Sequence, residues 1–182
     1  MSGTVFAPGD ALLVVDVFND FDHDDGDKLL GSFRERTPHM AEALQAARRA
    51  KVPVVYVNDE GGRWRSDAAR VVQAALQGKG GDLVEGLVPG ESDAVILKHR
   101  YSAFDHTPLE ILLELREVER IVLIGSATEG CVVQTAIDAR ELGLKVTILE
   151  DACATTGSEL EEIALRYAAR VGGVRVERIS EP

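Results

Sequence analysis

The chain has 182 residues, 45% of them hydrophobic and 28% charged, with 20 Lys and Arg against 31 Asp and Glu and a formal net charge of −11. That length suits one domain, 1–182, with one sizeable core, and the acidic balance argues against nucleic acid or an anionic membrane as the main partner. Two cysteines are too few for a disulfide scaffold, no apolar run is long enough to span a bilayer, and the N-terminal stretch lacks the order of a secretory signal, so a cytoplasmic location is expected.

The first predicted element, residues 11–18 (ALLVVDVF), is a nearly continuous apolar run, as in a strand buried on both faces. Residues 19–32 read as a loop rich in Asp and Gly. Within it, 20–27 (DFDHDDGD) imitates a calcium loop, but the sixth and twelfth places hold Asp25 and Gly31 where such a loop needs Gly and Glu. Residues 40–50 space Ala and Leu at helical intervals. Residues 52–58 (VPVVYVN) are a β-branched second strand, and 65–78 a helix with Gly78 near its end. After a loop-like 78–92, residues 93–98 (DAVILK) form a third strand. Helix 107–117 follows, with Thr107 at the N-cap and Pro108 at the first helical position. Residues 120–125 (RIVLIG) are a fourth strand and 131–142 a helix closed by Gly143. Residues 145–151 (KVTILED) are a fifth strand. Helix 158–170 has Ser158 and Glu161 spaced as a capping box, and 174–179 read as a sixth strand.

Strand and helix alternate throughout. That order predicts a three-layer, Rossmann-like α/β domain: a six-stranded, mostly parallel sheet with helices on both faces. Ligands of such sheets bind beyond the carboxyl ends of the strands, where the strand order reverses. Three reactive side chains fall there. Asp16 ends the first apolar run, Lys98 ends the third strand, and Cys131 follows the fourth. Each has an ordinary explanation taken singly: an ion pair, a snorkelling amine, a buried thiol. Together they are a base, a charge balancer and a nucleophile at one edge of one sheet. A helix N-terminus and a nearby ammonium are expected to favour the Cys131 thiolate. Backbone N–H groups around Ala127 and Cys131 are expected to face a developing oxyanion.

The segments LLVVDVFNDF, ILKHRYSAF, GSATEGCVVQTA and VTILEDACAT, spread from residue 12 to residue 155, resemble in order those of the isochorismatase-like cysteine hydrolases. That superfamily includes nicotinamidases and N-carbamoyl amidohydrolases. The resemblance implies catalytic roles for Asp16, Lys98 and Cys131, a cis peptide at Ser126–Ala127 beside the oxyanion, and a homo-oligomer, dimer or tetramer. Members without the Cys cleave a vinyl ether. A Cys at 131 therefore implies attack on a carbonyl or carbamoyl carbon through a thioester, with no cofactor. The nicotinamidase metal pair, Asp-x-His after the second strand, is not matched, because Gly61 stands two residues after Asp59. No metal site is expected, and the carbamoyl- and ureido-cleaving branch fits better than nicotinamide.

Other features rank lower. No G-x-G-x-x-G follows the first strand, so a dinucleotide site is not expected. Phe21 and Trp64 are candidates to line a small-molecule pocket, with Phe18 and Tyr101 behind them, and His99 and Arg100 are candidates to touch substrate. Specificity is assigned to loops 19–32, 58–66 and 99–106. The competing expectation is a scaffold without hydrolase activity, acting as a small-molecule binding module or as a redox sensor with Cys153 as resolving thiol. Cys153 more simply reads as a small buried residue.

Overall fold

The computed structural model describes residues 6–179. Its six strands are β1 (Asp10–Val15), β2 (Val54–Asp59), β3 (Ala94–Lys98), β4 (Arg120–Ser126), β5 (Lys145–Ala154) and β6 (Arg175–Glu177). They form one sheet in the order β3-β2-β1-β4-β5-β6, and every neighbouring pair is parallel. The helices are α1 (Gly26–Ala50), α2 (Ala68–Gln77), α3 (Gly81–Val84), α4 (Leu109–Leu115), α5 (Val133–Glu141) and α6 (Ser158–Arg170). Among the described residues no helix is long and apolar enough to cross a membrane.

Strand alternation sorts the core into two layers. Leu12 and Val14 of β1 pack into the cluster that includes Phe33, Met40 and Leu44 of α1. Ala11, Leu13 and Val15 point the other way, toward Leu113 of α4, Ala136 of α5 and Leu165 of α6. This is why the first strand reads as a continuous apolar run: both of its faces are buried. The chain leaves β1 for β2 and β3 on one side, then returns from β3 to place β4 on β1's other side. The reversal lies between β1 and β4, the place where sheets of this kind bind their ligands. Gly125 allows the two strands to close just before it. It sits at φ 129°, and a Cβ there would come 1.9 Å from the Val15 carbonyl oxygen, so no other residue fits.

Several predicted boundaries shift. α1 begins at Gly26, fourteen residues before the predicted 40, and takes in Gly31 and Pro38, both of which read as helix breakers. Leu29, Phe33 and Met40, all buried, hold this longer helix to the sheet. The predicted loop 78–92 contains α3 and a 3-10 turn at Glu85–Leu87. β5 runs to Ala154 because its pairing with β4 carries an irregularity: β4 advances from Leu123 to Gly125 while β5 advances from Ile148 to Cys153. The capping box at α6 does not form. The N-cap is Gly157, without a side-chain cap, and Glu161 is buried and turned inward.

Candidate active site

Asp16 follows β1 directly and has φ 47°, a left-handed conformation uncommon for residues other than glycine. Both neighbouring strands fasten it. Its N–H donates to the Val57 carbonyl (3.0 Å), and its own carbonyl accepts from the Ser126 hydroxyl (2.7 Å). Asn58 pins the next turn through both amide atoms, accepting from the Phe18 N–H (2.9 Å) and donating to the Phe18 carbonyl (3.1 Å). The Asp16 carboxylate is thereby held at the strand end. One oxygen accepts from the Asp59 N–H (2.6 Å).

The other oxygen lies 2.7 Å from the Lys98 ammonium. Lys98 closes β3 and is 1% exposed. Its three N–H groups meet three acceptors: Asp16, the Arg100 carbonyl (2.9 Å) and the Cys131 sulfur (3.3 Å). A buried ammonium is affordable only when it is satisfied in this way. The three residues named from the strand ends thus meet at one point.

Cys131 sits inside a π-type turn, Thr128–Val132, that precedes α5. The predicted helix start at 131 is corrected to Val133, because Gly130 takes non-helical angles (φ −114°, ψ −106°) that break the turn from the helix. The Ser126–Ala127 peptide leading into this turn is cis. The Ala127 carbonyl accepts from the N–H groups of Gly130 (3.1 Å) and Val132 (3.2 Å).

Side chains to which the motifs assign no role hold this turn. The Glu129 carboxylate accepts from the Thr155 hydroxyl (2.8 Å), the Thr156 N–H (2.9 Å) and the Thr156 hydroxyl. The Thr128 hydroxyl bonds the Ala154 carbonyl and Glu161 (both 3.0 Å). The sequence signal was only a polar cluster at two strand ends.

The electrostatics overturn one expectation. Burial pushes the Cys131 thiol up, the Asp16 charge pushes it further, and Lys98 offsets only part, leaving it at about 12. The resting sulfur is therefore a neutral thiol and not the thiolate expected from a helix end and an ammonium. Burial also raises the Asp16 carboxyl, against the pull of Lys98, of the thiol and of the Asp59 N–H. For Lys98, burial alone would lower the ammonium's pKa, but Asp16 and Cys131 outweigh it and the net shift is upward. The site rests as an ion pair beside a protonated thiol, and its carboxylate is a stronger base than an ordinary one.

The remaining candidates separate. Trp64 is 74% exposed and stacks on His99, with ring centroids 3.8 Å apart and an interplanar angle of 14°. Phe21 is corrected: it is wholly buried, edge-on to Phe33, and lines no open surface. Its apolar ring fills the core under the acidic loop. Phe18 is also buried, stacked on Tyr56, while Tyr101 is exposed. Cys153 lies inside β5, fully buried, with its thiol pushed upward by burial. Asp59 spends one carboxylate oxygen on the Gly61 N–H (2.6 Å). Among the described residues no three His, Cys, Asp or Glu side chains are grouped to hold a metal. A groove of about 430 Å³ beside α6 contains none of the trio; its charges pair among themselves, Arg36 with Glu161, Arg166 with Glu162 and Arg178 with Glu150.

Comparison with known proteins adds four findings. The family model described as the isochorismatase domain matches residues 10–178. The uncharacterized isochorismatase family protein YaaI of Bacillus subtilis is 33% identical over 161 residues, 88% of this chain and 89% of YaaI. A probable inactive nicotinamidase of Arabidopsis thaliana is 31% identical over 89% of each chain. Among solved structures, N-carbamoylsarcosine amidase from Thermoplasma acidophilum superimposes with a TM-score of 0.67 at 30% identity, covering 95% of this chain and 98% of the amidase.

Proposed function

The chain belongs to the isochorismatase family, and from that premise we propose that it is a cysteine amidohydrolase cleaving a C–N bond of a small amide, carbamoyl or ureido compound. The observation that carries this reading is the contact of Lys98 with both Asp16 and Cys131, at 2.7 and 3.3 Å. The solved amidase that this chain resembles acts on an N-carbamoyl compound, which supports the substrate class.

The course follows from the resting charges. As the Cys131 sulfur attacks the carbonyl carbon, its proton passes to the Asp16 carboxylate and a C–S bond forms. Lys98 stays charged throughout and stabilises first the carboxylate, then the developing thiolate. Collapse of the tetrahedral adduct breaks the C–N bond, and Asp16 gives its proton to the departing amine or ammonia. Water then attacks the thioester carbon, losing a proton to Asp16, and the departing sulfur takes that proton back. Every proton is returned and no outside oxidant or reductant is needed. A redox sensor is disfavoured by Cys153, which is locked inside the sheet.

The test is ammonia release across a panel of carboxamides, N-carbamoyl compounds and ureides. Turnover is expected from the wild-type chain and is expected to vanish in Cys131→Ala. Full activity in that variant would sink the reading.

A further inference from the structure

We propose that the outer face of α6 is a self-docking surface, on which a second copy of this chain lays its own α6 antiparallel about a two-fold axis. The helix buries one face, with Glu161, Leu165 and Ala168 turned into the domain. The face turned away is also apolar. Leu160, Ile163, Tyr167 and Val171 are 52 to 68% exposed, and their helical spacing sets them in one row. A helix that only covers a sheet needs a single apolar stripe. The second stripe leaves four large side chains side by side in water, which scattered single exposures do not account for.

Charge along the row says what covers it. The exposed acids, Glu159 and Glu162, lie in the first half of the helix, and the exposed bases, Arg166 and Arg170, in the second. Helical geometry puts all four on one flank of the apolar row. Glu162 and Arg166 bond each other within the helix (2.6 Å), whereas among the described residues Glu159 and Arg170 form no ion pair. A two-fold axis between two facing copies keeps their flanks on the same side and reverses their direction. Glu159 of one copy then faces Arg170 of the other, twice over. Parallel pairing would set acid on acid and base on base. The order of charge also suits the helix's own dipole, but the dipole calls for no apolar row.

The chain carries −11, so two copies repel each other over much of their surface. On the outer face of α6 the exposed charges cancel, two acids against two bases, and copies can approach there. The row from Leu160 to Val171 runs along about 16 Å of helix. Stable pairs bury about 800 Å² on each side. The row supplies the apolar centre of such an interface and the charged flank its rim. The reacting trio belongs wholly to one chain, and the inner face of α6 supports the Cys131 turn through Glu161 and the Thr128 hydroxyl (3.0 Å). Pairing through the outer face leaves that support in place.

The test is sedimentation equilibrium of the intact chain over about 1 to 100 µM. The wild type is expected to reach at least twice the 19.7 kDa mass of one chain. Ile163→Asp puts a charge in the middle of the row and is expected to weaken association at least about tenfold, with the fold retained by circular dichroism because the position is exposed. Charge reversal tests the arrangement. Glu159→Arg and Arg170→Glu are each expected to associate several-fold more weakly than wild type, since each sets like charges together twice. Mixed in equal amounts, the two variants are expected to recover wild-type association, because both contacts of the mixed pair again join opposite charges. A single-chain mass throughout the range, a mass that Ile163→Asp leaves unchanged, or no gain on mixing would overturn the proposal. Ammonia release tests the amidohydrolase reading separately, and neither result decides the other.

Discussion

A carboxylate stands at each end of β1, Asp10 buried and Asp16 just past the strand and partly buried, and the two are used differently. Asp10, at the amino end, faces Arg120 in the neighbouring strand: Nε to Oδ1 at 2.8 Å and Nη2 to Oδ2 at 2.5 Å, with the Ala7 N–H adding a third bond at 2.6 Å. Asp16, six positions on, meets a lysine and not an arginine, and a sulfur shares that lysine. The first pair is a closed fork whose two oxygens are both taken. The second balances on one ammonium, with a proton-bearing thiol within its reach. Burial of charge is common to both ends; the labile third member is what makes one end chemical. A guanidinium would fill the Asp16 site with rigid donors, whereas a compact ammonium leaves room for proton transfer.

This contrast can be broken from either end. The largest effect is expected at the carboxyl end: Asp16→Asn should lower kcat/KM by about 10³-fold or more with the fold retained by circular dichroism, because the thiol loses its proton acceptor. At the amino end, Asp10→Ala should leave turnover per folded molecule unchanged. It takes both oxygens of the fork from Arg120, which is 21% exposed, and should cost about 2–3 kcal/mol in denaturant unfolding, somewhat less than a fully buried broken pair. If Asp10→Ala abolished turnover at intact stability, the division of labour would be wrong.

The pH profile sharpens the same point. Asp16 must be ionised to accept the thiol proton. Its pKa is raised by burial, so kcat/KM should fall as pH drops through a value above the ordinary carboxylate range, by about tenfold per unit below it. An acid limb below the ordinary range would contradict that assignment. The smallest effect is expected for Glu129→Gln, which weakens the clamp between the Cys131 turn and Thr155–Thr156. About 1 kcal/mol of stability and a several-fold fall in kcat are expected, read by thermal unfolding and steady-state rates.

The same two ends show what the sequence discloses. Asp16, Lys98 and Cys131 were legible because each ends or follows an apolar strand, and a parallel sheet brings strand ends together. Parallel order was legible from the alternation of elements. The long α1 was not, because Gly31 and Pro38 mask a helix held by Leu29, Phe33 and Met40 against the sheet. Glu161, three residues after Ser158, looked like the second half of a cap, yet tertiary contacts with Thr128 and Arg36 claim it. Phe21 looked like a pocket wall because loop position says nothing of depth. The Cys131 thiol looked activated because a helix end and a lysine are local features, while the desolvation that outweighs them belongs to the whole fold. Glu129 lies inside the GSATEGCVVQTA segment, but its role appears only where β5 ends beside it.

The central claim is that Asp16 and Lys98 pull the Cys131 proton in opposite directions while the thiol rests neutral. The direct measurement is the rate of iodoacetamide alkylation at Cys131 near neutral pH, read by peptide mass spectrometry with buried Cys153 as the internal control. Asp16→Asn removes the charge that raises the thiol and leaves Lys98 free to stabilise the thiolate, so alkylation should quicken several-fold while turnover collapses. Lys98→Met should slow it. If alkylation in Asp16→Asn stayed level, the sulfur would not be governed by this carboxylate; if it fell with turnover, the carboxylate would act on the thiol only as a base and not by raising it, and either result would contradict the account.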